Sequence, residues 1–159
     1  LRNIAVDVKD NLALKSVEPP PMIVYARGAV NHSLVEISRL GYDVVGIDHT
    51  VEPAWARQCL AQAQSSNRKF SEVEVNKGAQ HRIAIQGNLD PAILYARPEV
   101  IQDRVRRMFQ TTTGGFGGQG ALICNLGQGI TPGVDPDHLR VFLEAVHRVS
   151  KEMSDNNDD

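Results

Sequence analysis

One feature constrains this chain more than any other: an apolar run that stops in a glycine-punctuated turn and then opens a capped helix, ALICNLGQGITPGVDP at residues 121–136. Leu122, Ile123 and Cys124 read as a buried strand, and Asn125, Gly127, Gln128 and Gly129 follow where it ends. Glycines at that point let the backbone turn sharply and approach a ligand closely. Asp135 is a good N-cap, with Pro136 at the first helical position. Beyond it Leu139, Phe142, Leu143, Val146, Val149 and Met153 recur with a 3.6-residue period, which predicts an amphipathic helix. Strand, loop and helix are complete in this one segment, and the same grammar recurs upstream.

Residues 1–18 place Ile4, Val8, Leu12 and Leu14 among charges, an amphipathic helix that the prolines at 19–21 terminate. Residues 22–25 predict a strand that ends at Ala26, Arg27 and Gly28. Asn31 is placed to cap a helix carrying Leu34, Ile37 and Leu40, closed by Gly41 in the left-handed conformation. A second strand at 43–47 ends at Asp48, His49 and Thr50. A helix from near Pro53 aligns Trp55, Cys59, Leu60 and Ala63. From 64 to 82 the sequence turns polar, an insertion or hairpin in which Phe70, Val73 and Val75 alternate like a short surface strand. Residues 83–85 form a third strand, ending at Gln86, Gly87, Asn88, Leu89 and Asp90, and Asp90 with Pro91 repeats the cap seen at Asp135 and Pro136. Pro98 opens a helix striped by Ile101, Val105 and Met108, and TTTGGFGGQG at 111–120 reads as a flexible linker.

Apolar strands alternating with amphipathic helices predict an α/β fold with a parallel sheet and right-handed crossovers. Arg27, Asp48, His49, Asn88, Asp90, Asn125 and Gln128 all follow the C-terminal ends of strands, where barrels and open α/β sheets place their sites. A complete (β/α)8 barrel takes about 250 residues. The 159 residues here, 42% of them hydrophobic, predict a single partial domain of about four βα units, roughly half a barrel, interrupted by the insertion at 64–82.

The formal net charge of −2 gives no broad attraction to phosphate backbones or anionic membranes, against a nucleic-acid or membrane role. No apolar stretch approaches the roughly 20 residues that span a bilayer. Cys59 and Cys124 both sit in apolar patterns, which predicts reduced thiols and a reducing, cytoplasmic setting. The chain opens at Leu1 in mid-helix, the expectation for a sequence whose natural start, with any targeting segment, lies further upstream. His32, His81, His138 and His147 fall on helices or in the insertion, without metal-ligand spacing, so no metal is expected.

Three ordered blocks together resemble the C-terminal half of the uroporphyrinogen decarboxylase family: PMIVYARG at 21–28 through GYDVVGIDHTV at 41–51, QGNLDP at 86–91, and NLGQG at 125–129 with Pro132, Asp135, Pro136, Val146 and His147. The resemblance implies a (β/α)8 barrel, usually a homodimer, that removes the carboxylates of four acetate arms from uroporphyrinogen III without a cofactor, giving coproporphyrinogen III. It also implies that the principal chemistry lies upstream, because the family's N-terminal arginines, pyrrole-binding aspartate, and substrate-side tyrosine and serine match nothing here. On that reading no catalytic residue is in this segment. One departure stands out: the family has His at the position of Gln128, and glutamine donates a hydrogen bond to a carboxylate but carries neither proton nor charge.

Decarboxylation without a cofactor needs a proton donor and an anion that steadies the developing cation, so arginines and a carboxylate in a cleft are the expected parts. Gln128, Arg27, Asp48 and Asn88 are accordingly the substrate-binding candidates, with structural pairing as the competing role for Arg27 and Asp48 and a turn role for Asn88. Two alternatives accompany this reading. Corrinoid methyltransferases share the fold but need a zinc-bound thiolate, hence His and Cys at strand ends, whereas Cys124 lies inside a strand and Cys59 in a helix. A catalytically inert, truncated or degenerate homologue that only binds or dimerises is the non-enzymatic alternative, favoured by Gln128 and the insertion.

Overall fold

The computed structural model describes residues 1–29, 32–66, 83–116 and 122–155. Helix α1 (Arg2–Leu14) leads into four repeats: β1 (Ile23–Tyr25) with α2 (His32–Ser38), β2 (Val44–Gly46) with α3 (Pro53–Ser66), β3 (Ala84–Leu89) with a 3-10 turn (Pro91–Tyr95) and α4 (Pro98–Phe116), and β4 (Leu122–Leu126) with α5 (Pro136–Asp155). The strands lie in the order β1-β2-β3-β4, each parallel to its neighbour, so the α/β expectation of four βα units holds. A sheet whose spatial order follows chain order without reversal winds in one direction, as a barrel does and a doubly wound sheet does not.

One face of the sheet carries the helices. Val24, Val45 and Ile85 lie in register across β1 to β3 and pack with Leu34, Ile37, Ala56 and Leu60 in one core cluster. Leu89, Leu94, Ile101, Val105, Met108, Phe142, Ala145 and Val149 build the second, under α4 and α5. The predicted stripe of α4 is thus fully buried. On α5, Leu143 is corrected: it is exposed, and Ala145 takes the buried place, because the face that meets α4 is rotated towards Phe142, Ala145 and Val149.

The other face is open. Tyr25, Gly46, Gln86 and Ile123 form one row in register across all four strands, and Tyr25 and Ile123 remain 45% and 40% exposed. In a closed barrel this face points inwards and is filled by side chains. Helix α1 tells the same story. Its expected apolar face does not enter the core: Ala5 is its buried residue, while Ile4, Val8 and Leu14 are exposed. Polar ties hold it instead, with Lys9 donating to the Asp43 carboxylate at 3.1 Å and to the Gly41 carbonyl at 2.8 Å.

Several boundaries differ from the sequence reading; α2 ends at Ser38, short of Leu40, and β2 spans Val44–Gly46 only. Strand β3 runs on through Leu89 and β4 through Leu126, because Gly87, Asn88 and Leu89 pair with Cys124, Asn125 and Leu126 in the ladder. Polar residues taken as post-strand turns are therefore strand residues at the sheet's C-terminal edge. The helical backbone of α4 continues to Phe116, so the first six residues of the expected linker are helix and not coil. The remainder of that linker, the proposed cap Asn31 and the expected surface strand at Phe70, Val73 and Val75 lie outside the described residues. Gly41 does take the left-handed conformation expected of it, at φ +88°.

Candidate functional site

Parallel strands bring all their C-terminal ends to one edge, so the polar segments after β1, β2, β3 and β4 become neighbours, and side chains that the sequence scatters are knitted together there. Asp48, only 4% exposed, accepts from the Gly28 backbone N–H at 2.6 Å and from the Thr50 backbone N–H at 2.9 Å and hydroxyl at 2.5 Å. These ties join the loop after β1 to the loop after β2. The Thr50 hydroxyl, with the Gly28 and Thr50 amides and the charge of His49, holds the Asp48 carboxyl below the usual carboxylate range against the opposing effect of burial. It is ionised at neutral pH.

Asn88 carries the chain of ties one strand further. Its side-chain amide donates to the Asp48 carbonyl at 2.9 Å and to the Val51 carbonyl at 2.7 Å, fastening the loop after β2 to β3. Both amide hydrogens are thereby committed to backbone. At β4, the Gly127 N–H donates to the Leu89 carbonyl at 2.7 Å, and the Tyr25 hydroxyl donates to the Gly127 carbonyl at 3.0 Å. Asp90 and Asp135 cap as expected, accepting from the Ala92 and Asp137 backbone N–H groups at 2.9 Å. His138 has a structural partner: its Nδ1 lies 2.7 Å from the Leu94 carbonyl, and since a carbonyl only accepts, Nδ1 carries the proton.

Beside this framework is a cavity of about 250 Å³, lined by Tyr25, Ile47, Gln86, Asn125, Leu126, Gln128, Gly129 and Ile130. Gln128 is its most informative member. Its side-chain oxygen is buried and has no hydrogen-bond partner, a costly state unless a donor arrives from outside. His49 Nδ1 is likewise buried and unpartnered. Of the four binding candidates, Gln128 alone lines the cavity. Asp48 and Asn88 sit in the framework beside it, and Arg27 is exposed on the loop after β1 with no ion pair among the described residues.

Sequence reasoning missed Tyr25, Gln86 and Ile130. The signal for Tyr25 was present: Ile23 and Tyr25 alternate around buried Val24, which puts both on the face opposite the helices. For Ile130 nothing local distinguished it from loop. Burial raises the Cys59 thiol and pushes Cys124 up to about 12, so both are protonated thiols and poor metal ligands. Among the described residues no three His, Cys, Asp or Glu side chains converge as a metal site would require, and no helix is long and apolar enough to cross a membrane.

A singly wound parallel sheet with helices on one face and a polar rim at its C-terminal edge defines a barrel-type α/β protein. Among solved structures, a methyltransferase from Methanosarcina mazei matches at TM-score 0.57, covering 89% of this chain and 35% of that one at 14% identity, a likeness of fold alone. A family model described as uroporphyrinogen decarboxylase (URO-D) matches residues 5–149, and the chain belongs to that family. Relatives named uroporphyrinogen decarboxylase include the Schizosaccharomyces pombe protein, 40% identical over 148 residues, which are 93% of this chain and 35% of the relative. The Homo sapiens protein is 34% identical over 156 residues, 98% of this chain and 36% of the relative. The Danio rerio protein is 37% identical over 153 residues, 96% and 35% of the two chains. The chain thus spans about a third of the length of the curated relatives it matches.

Proposed function

We propose that this chain forms the C-terminal βα units of a uroporphyrinogen decarboxylase, a carboxy-lyase that takes the four acetate carboxylates from uroporphyrinogen III to give coproporphyrinogen III. The observation that carries the reading is 34–40% identity to proteins of that name across 93–98% of this chain. The open sheet face and rim cavity support it, since both suit a segment that completes a barrel. No residue here is assigned the chemistry. The segment's part is to recognise the substrate's carboxylate rim, with Gln128 as the contact, Arg27 as an exposed counter-charge on the loop after β1, and Asp48 and Asn88 holding the loops that present them. The cavity is smaller than the roughly 300–1,000 Å³ of a whole ligand cleft, so it suits one carboxylate arm rather than a macrocycle. The whole protein is a homodimer on this reading, and needs no cofactor or metal.

Porphyrinogen carboxyl loss, followed by chromatography of the products, tests the assignment. Residues 1–159 alone are expected to show none and to associate in solution, because β1 and β4 each pair on one side only among the described strands. The full-length polypeptide is expected to turn over. Robust turnover by the isolated segment would overturn the placement of the chemistry upstream.

Gln128 is tested by binding. An amide presents either its oxygen or its NH2 by a half-turn of its terminal torsion, and no hydrogen bond holds the oxygen of this one in place. Gln128→Ala is expected to lose one hydrogen bond to a charged group, roughly 1.5–3 kcal/mol of affinity. Gln128→His should restore it and add a pH dependence near the ordinary histidine pKa of about 6.5. Titration of the full-length protein with uroporphyrin across pH 6 to 8 reads both, and unchanged affinity in Gln128→Ala would return the residue to the turn.

A further inference from the structure

The loop that carries Gln128 is held at both ends by tyrosine hydroxyls. At its start the Tyr25 hydroxyl donates to the Gly127 carbonyl at 3.0 Å. At its far end the Tyr95 hydroxyl, on the 3-10 turn after β3, lies 2.9 Å from Thr131 Oγ1 and 2.8 Å from the Pro132 carbonyl. One phenol hydrogen cannot serve both partners, so Tyr95 donates to the Pro132 carbonyl and accepts from the Thr131 hydroxyl. The 3-10 turn is itself anchored, by the Asp90 cap and by His138 Nδ1–H on the Leu94 carbonyl. Between the two tyrosines lie Gln128, Gly129 and Ile130, the three loop residues beyond Gly127 that line the cavity. Tyr25 lines the cavity as well and is open to ligand contact, whereas Tyr95 does not line it and is 54% exposed. A half-exposed tyrosine whose hydroxyl reaches across 36 and 37 residues of sequence to two adjacent loop residues is spending its polarity on the loop.

We infer that Tyr95 is a positioning residue: through Thr131 and Pro132 it sets how far the loop after β4 extends, and so where the Gln128 amide, whose oxygen has no partner, meets the ligand. This rests on the proposed role of Gln128 and adds the element that acts through it. Pre-set geometry matters because a donor held in place loses less freedom when it binds.

A double-mutant cycle on uroporphyrin affinity in the full-length protein separates positioning from a merely structural effect. Tyr95→Phe removes one hydroxyl from a half-exposed site, so the fold is expected to persist while affinity falls about three- to tenfold, the loss of one ordinary hydrogen bond's restraint. In a Gln128→Ala background the same change should leave affinity unmoved. Thr131→Val, which removes one of the two loop partners, should show a smaller loss with the same dependence on Gln128. Equal losses in both backgrounds, or no loss in either, would overturn the inference and make Tyr95 an ordinary loop tie. If Gln128→Ala itself leaves affinity unchanged, the proposed role of Gln128 falls, and the positioning role with it.

Discussion

Gly127→Ala is expected to destabilise the protein by about 3–5 kcal/mol, while Gly129→Ala, two residues away, should stay within about 1 kcal/mol. A Cβ added at Gly127 would land on the His49 backbone nitrogen and lie 2.8 Å from the His49 Cα and Cβ. Two of these are main-chain atoms and the third is a Cβ, so no rotamer change moves them aside. Gly127 also bridges three strands, donating to the Leu89 carbonyl and accepting from the Tyr25 hydroxyl, so relieving the clash by a shift of β4 would break both bonds. At Gly129 an added Cβ meets nothing within 4 Å. Urea denaturation of the two variants in the full-length protein checks the contrast, and similar midpoints for both would sink it.

Asp48→Ala is expected to lose about 2–4 kcal/mol, since it removes the acceptor for three donors and unties the loop after β1 from the loop after β2. Asp48→Asn keeps the shape but turns an NH2 towards a backbone N–H, so it should fall between alanine and the parent. The pH dependence follows from the direction of the carboxyl's shift. Because its folded-state pKa lies below the ordinary value of about 3.9, its contribution is fully present above that value and is lost as pH falls through the folded value. The gap in stability between parent and Asp48→Asn should therefore be constant from pH 7 to about 5 and close progressively below about 4. Denaturation midpoints along that series measure it, and a gap that widened on acidification would refute the assignment.

These two residues also show what local sequence could and could not tell. Gly127 and Gly129 are alike as text: both follow a strand, both flank Gln128, and both license a tight turn. Only packing separates them, because the distance from Gly127 to His49 is set by the pairing of Leu89 with Leu126 and not by anything nearby in the chain. Asp48 read as a strand-end carboxylate, open to either a substrate or a structural role. Its three donors come from Gly28 and Thr50, and a backbone N–H twenty residues away leaves no trace in composition or spacing. The same holds for Tyr95, whose partners at Thr131 and Pro132 are brought near by α4 and β4 returning the chain to the rim.

By itself the sequence determined the order and type of the main elements, the caps at Asp90 and Asp135, the buried stripe of α4 and the gathering of polar groups at one edge. All of these are consequences of period, of capping chemistry and of parallel strands, which act over a few residues or follow from topology. Tertiary structure alone decided where β3 and β4 end, since a polar residue remains a strand residue when its neighbour continues the ladder. It alone decided that Ile4, Val8 and Leu14 of α1 stay exposed while Ala5 is buried. And it alone decided which rim groups are left without a partner, because hydrogen-bond satisfaction is a property of the whole neighbourhood: Asn88 found two carbonyls, and the oxygen of Gln128 and Nδ1 of His49 found none.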